Sequence, residues 1–153
     1  MDTKKMIDAL NKAVALEHTA VMQYKQHALL VSGLWRKEYA GFFSDQSESA
    51  HGHAHKFGQK VVILGGIPTV ELGAPIRQST DLEEMLNQDL ELERAALQAY
   101  MDAHALADDN LPLRVMLENQ IEAEQADIEE LEMYLGMVQT SGLEREVNLR
   151  RVG

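Results

Sequence analysis

The three prolines of this chain stand at positions 68, 75 and 112, so residues 1–67, 76–111 and 113–153 contain none. Proline breaks a helix interior by removing a backbone hydrogen bond and clashing with the preceding turn. The proline-free stretches are rich in Ala, Leu, Glu, Gln and Met, which favour helix over strand. The first predicted helix spans about 3–32, is capped by Asp2 or Thr3, and carries the seam Ile7, Leu10, Val14, Glu17, Val21, Tyr24, Ala28 in steps of three and four. A second, about 35–64, stops at Gly65-Gly66-Ile67-Pro68. Residues 65–80 hold two prolines and three glycines without periodicity and form a long connection. A third helix, about 81–107, starts at a capping box of Thr80 and Glu83 and has the seam Leu82, Leu86, Leu90, Glu93, Leu97, Tyr100. The fourth, about 111–138, has Pro112 in its first turn, and a short tail helix fits 143–151. No internal repeat stands out. Residues 1–153 read as one all-α domain, a four-helix bundle whose long connection lets helices two and three run parallel.

Composition narrows the function. The formal net charge is −11, from 25 acids and 14 bases, which disfavours nucleic acid and anionic membranes as partners. The chain has no cysteine, hence no disulfide, thiolate metal site or thiol nucleophile. The amino terminus lacks the apolar stretch of a secretory signal, and no apolar run is long enough to span a bilayer. A cytoplasmic location is expected.

Glu17 and Glu93 each interrupt the middle of an apolar seam. An ionised carboxylate in a dry core costs several kcal/mol unless it is paired, protonated or bound to a metal. The second helix offers Glu48 and His51, three residues apart and so on one face. The fourth offers Glu122 and Gln125, with Gln125 central to an arc of Leu117, Ile121, Ile128 and Leu135. Ferritin-like di-iron bundles use one Glu from each of two helices and Glu-x-x-His from each of the other two. Together with the stretches LNKAVALEHTAVMQY, ESAH, ILGGIPT and EEMLNQDLELE, the pattern resembles the bacterioferritin branch of the ferritin family over most of residues 7–138.

The resemblance implies two irons: one held by Glu17, Glu48, His51 and Glu122, the other by Glu93, Glu122, Glu48 and Gln125, with Tyr24 close by. Gln125 stands where the family has a second histidine, a weaker donor that should hold its iron more loosely. Ser49 stands where bacterioferritins carry the haem methionine, and serine is a poor axial ligand, which argues against haem. The implied activity is ferroxidation, Fe(II) oxidised by dioxygen or peroxide, with Fe(III) stored in a homo-oligomeric cage, 24 copies being favoured over 12. Four Glu would neutralise two divalent ions, and the remaining 21 acids against 14 bases leave −7 to attract cations. Two alternatives stay open: another di-metal (Mn/Fe) oxidase or peroxide-consuming enzyme, and a non-catalytic shell protein. The other histidines read as bystanders: His18 and His27 as surface or interface residues, His53 and His55 as polar-face or packing residues, His104 as core or pore.

Overall fold

The computed structural model describes residues 1–138. Four helices make up the fold: α1 (Thr3–Leu30), α2 (Arg36–Ile63), α3 (Leu82–Ala105) and α4 (Leu111–Tyr134). The bundle and its long connection between α2 and α3 agree with the sequence reading, while α4 ends at Tyr134 and not near 138; the tail helix expected over 143–151 lies outside the described residues. No helix among the described residues is long and apolar enough to cross a membrane.

Local chemistry sets the helix ends. Asp2 caps α1 by accepting from the Lys5 N–H. Asp81, one residue beyond the expected Thr80, caps α3 by accepting from the Glu84 N–H at 2.8 Å. The Asp81 N–H donates to Ser79 Oγ, which donates in turn to the Glu84 carboxylate at 2.6 Å, so a relay through Ser79 replaces the capping box expected of Thr80 and Glu83. Asn110 caps α4, with Pro112 just inside it.

Cross-helix contacts fix the directions. Ser47 on α2 donates to the Val21 carbonyl and His53 approaches Glu17, so α1 and α2 are antiparallel. Tyr24 meets Glu93 and Tyr100 meets Glu17, so α1 and α3 are antiparallel too. Hence α2 and α3 run parallel, as the long connection demands. That connection lies along α1, tethered in turn by three of its polar residues. Asn11 holds Ile67 and Thr69, Thr19 accepts from the Gly73 N–H, and Gln23 makes a two-way amide pair with the Arg77 backbone. A Cβ at Gly73 would sit 2.8 Å from the Leu16 backbone nitrogen, so only glycine permits this approach.

Candidate metal centre

α1 and α3 carry the same spelling, Leu-Glu-x-x-Ala-x-x-x-Tyr, at residues 16–24 and 92–100. Seven residues are close to two helical turns, so Glu and Tyr of each helix share the buried face. The antiparallel crossing then pairs them reciprocally: Tyr24 Oη donates to Glu93 at 2.5 Å, and Tyr100 Oη to Glu17 at 2.7 Å. Both carboxylates are buried, with Glu17 3% and Glu93 6% exposed. The repeat is invisible when the seams are read only for their apolar members, because its functional letters are the polar ones.

α2 and α4 complete the cluster with residues other than those expected. His53 Nδ1 lies 3.4 Å from Glu17 and 3.5 Å from Glu124. Ligand atoms of Glu17, His53 and Glu124 all fall within 4.8 Å of one another, and so do those of Glu93, Glu124 and Asp127. Glu124 belongs to both groups and is 1% exposed. Its Oε1 accepts from the Gln120 amide at 2.8 Å, while its Oε2 is buried without a hydrogen-bond partner.

Glu17, Glu93 and Tyr24 are brought together as expected. Glu48, His51, Glu122 and Gln125 instead lie on exposed surface, with Gln125 donating to Glu129. On both helices the inward face carries the residue two positions later: Ala50 for Glu48, His53 for His51, Glu124 for Glu122 and Asp127 for Gln125. Two residues are about 200° of helix rotation, enough to turn an inward side chain outward. The buried seam of α4 is Leu113, Leu117, Gln120, Glu124, Ile128, Leu131. Because its two middle members are polar, the apolar residues alone suggest an arc rotated toward Ile121 and Leu135. The seam of α2 runs through Phe43, Ser47, Ala50, Ala54, Phe57 and Val61, and its small middle members Ser47, Ala50 and Ala54 are outshone by the exposed Glu48/His51 pair. The cluster gathers four carboxylates and a histidine, where the expected set was four glutamates, a histidine and Gln125.

The other histidines also find definite places. His27, expected at a surface or interface, is fully buried, with Nδ1 2.9 Å from Asp89. His104 pairs with Glu118 at 2.8 Å at the exposed edge of α3 and α4. His18 contacts the Thr69 carbonyl, and His55 is exposed.

Charge in the cluster is poorly compensated. Burial, then the neighbouring Glu17, push the Glu124 carboxyl up to about 8. Burial, then Glu124, hold Glu93 well above the usual carboxylate range. Asp127 is raised, chiefly by burial. Burial works to lower His53, but the Glu17 carboxylate beside it outweighs this and leaves it raised. Such a set holds protons until a cation replaces them. The shared Glu124, with its unpartnered oxygen, and an imidazole among oxygen donors fit first-row divalent metals at both groups.

A ferritin-like domain model matches residues 7–140. The chain is 27% identical to a bacterioferritin of Brucella melitensis over 143 residues, covering 92% of this chain and 89% of the relative. Among solved structures it is similar to a ferritin-like, diiron-carboxylate protein from Bacillus anthracis, with a TM-score of 0.83 and 31% identity over 88% of this chain and 98% of the other. It is also similar to a dodecameric, bacterioferritin-related thioferritin from Bacteroides fragilis, with a TM-score of 0.81 and 25% identity over 89% and 87% of the two chains.

Proposed function

The chain belongs to the family of ferritin-like domains, and from that premise we propose that it binds and oxidises iron(II) at the Glu17–His53–Glu93–Glu124–Asp127 cluster. The observation that carries this reading is Glu124: a buried acid reaching two donor groups, with one oxygen left without a partner. Glu17 and His53 with Glu124 would hold one ion, and Glu93 and Asp127 with Glu124 another. Iron here is substrate, and its loss of an electron to dioxygen or peroxide is the chemistry supplied. The chain's own residues desolvate the ion and replace its water with hard oxygen donors, which favour the higher charge of iron(III). Tyr24 and Tyr100 hold the terminal carboxylates in place through their hydroxyls.

Homo-oligomeric assembly into an iron-holding cage is part of the same reading and is supported by the relatives named above; whether 24 or 12 copies assemble is set by contacts outside one chain. A soluble cytoplasmic setting goes with it. The excess acid outside the cluster suits a surface that gathers cations. A manganese- or peroxide-using oxidase on the same cluster is the second reading, favoured by the all-oxygen group Glu93, Glu124 and Asp127.

Anaerobic addition of iron(II) to metal-stripped protein, followed by oxygen, tests the proposal. Up to two irons per chain and a fast rise in iron(III) absorbance are expected, both abolished in Glu124→Ala. Retention of full iron binding and oxidation in that variant overturns it.

A further inference from the structure

The middle of α2 carries the run His51-Gly52-His53-Ala54-His55, and the helix divides it between two faces. His53 faces the cluster, while His51 and His55 are both exposed on the opposite side. Residues four apart on a helix are neighbours, with about 5–6 Å between their Cβ atoms, and helical side chains lean toward the amino-terminal end. The His55 imidazole therefore leans over the turn that His51 occupies. The other histidines have partners: His18 at the Thr69 carbonyl, His27 at Asp89, His53 at Glu17 and Glu124, His104 at Glu118. Among the described residues, neither His51 nor His55 is engaged in a hydrogen bond or ion pair, and the same holds for the exposed Glu48 one turn before His51. A Cβ on Gly52 would meet nothing within 4 Å, so the flank of the pair is open. Ala50 and Ala54, buried beside it, fix this stretch of α2 in the bundle, and the spacing of the two imidazoles is set before any ligand arrives.

We propose that His51 and His55 form a second metal site, on the outer face of α2, which chelates one nickel(II), copper(II) or zinc(II) ion independently of the carboxylate cluster. Neutral imidazole is the commonest protein ligand of these metals, and a helical His-x-x-x-His presents two of them to one ion. A pair of nitrogen donors favours the late first-row ions over iron(II) and manganese(II), which stand lower in the affinity order and suit the oxygen donors of the cluster. Water fills the remaining coordination positions, so the ion is exchangeable. The Glu48 carboxylate adds negative charge beside the site and can accept a hydrogen bond from a metal-bound water, and the net charge of −11 draws cations to the surface. The two faces of α2 thereby sort metals by donor: one imidazole among acids on the inside, two imidazoles on the outside.

Zinc(II) is titrated calorimetrically into the metal-free full chain carrying Glu124→Ala, in which the shared ligand of the cluster is gone. Copper(II) is added to the same chain for electron paramagnetic resonance. One zinc per chain and a copper signal coupled to two imidazole nitrogens are expected, and both are lost when His51→Ala/His55→Ala is added. Losing a direct ligand costs at least as much as losing an outer partner, so His55→Ala alone weakens zinc about tenfold or more. Glu48→Gln, which removes only the charge beside the site, weakens it by a smaller factor. Both histidines are exposed, so the variants keep the fold, which circular dichroism checks. In the chain with its cluster intact, His51→Ala/His55→Ala lowers the zinc count by one and leaves iron(II) uptake unaltered. Zinc binding undiminished in the double histidine variant, or copper held without nitrogen coupling, overturns the site.

Discussion

Asp89 and Glu93 lie one turn apart on α3, and both are buried against α1, yet their surroundings are opposite in kind. Asp89 faces His27, whose Nδ1 lies 2.9 Å from either of its oxygens. The far nitrogen of that imidazole meets Gln23 and Gln88, and Gln23 is itself fastened to the Arg77 backbone. Burial lifts Asp89 to about 6 even with His27 pulling the other way, and its Oδ1 is left without a hydrogen-bond partner although the imidazole stands beside it. Glu93, by contrast, has a phenol on one side and the acids Glu124 and Glu17 near it, with only His53 to offset them. The hydrogen-bonded group of Asp89, His27, Gln23 and Gln88 ties α1, α3 and the connection together. An open set of like charges does the reverse: it costs stability unless protonated or filled. The difference lies in the neighbours and not in burial: Asp89 faces an imidazole, while Glu93 and Glu124 face other acids.

The sharpest way to break this comparison is to remove the shared ligand. Glu124→Ala should weaken divalent-metal binding about a hundredfold or more while leaving the folded chain intact, measured by calorimetric titration. Asp89→Ala should act the other way: metal stoichiometry unchanged, but stability lower by about 3–5 kcal/mol in urea, because His27 loses its partner in the core.

Proton linkage separates the two regions further. The Glu124 carboxyl is near 8 in the fold and at 4.5 when exposed, so the folded state keeps a proton that the unfolded chain releases between those values. Stability of the metal-free protein should therefore be greatest at low pH within this window and fall as pH rises from about 4.5 to about 8. Metal affinity should rise over the same range, since the cation competes with that proton. Melting temperatures across pH 5 to 8 check this, and Glu124→Gln should flatten the profile. The smallest effect is expected at the exposed residues: Glu48→Ala, His51→Ala and Glu122→Ala should each shift stability by less than about 0.5 kcal/mol and leave iron binding unaltered. A loss of iron in any of these would return the site to the outward face of its helix.

How far the chain could be read before folding differs by helix. On α1 and α3, Glu17 and Glu93 are conspicuous because regularly spaced apolar residues run along the seam on either side of each. On α4 the seam has polar members at Gln120 and Glu124 in succession, so its apolar remainder points about one residue astray, and Glu122-x-x-Gln125 looks better than Glu124-x-x-Asp127. On α2 the strongest local motif, Glu48 with His51, lies on the outside, while the ligand-bearing face presents Ala50 and His53. His27 escaped notice for a related reason: an isolated histidine on a helix gives no sign of a partner 62 residues away.

Proline placement, helix-forming composition and capping residues determined four helices, their lengths and the one long crossover, because these depend on backbone sterics and hydrogen bonds within a few residues. The two buried acids of α1 and α3, Glu17 and Glu93, stood out in the sequence as well. Only packing decided which other donors meet them, since rotating a helix by two residues costs nothing locally and is settled by which side chains its neighbours can bury.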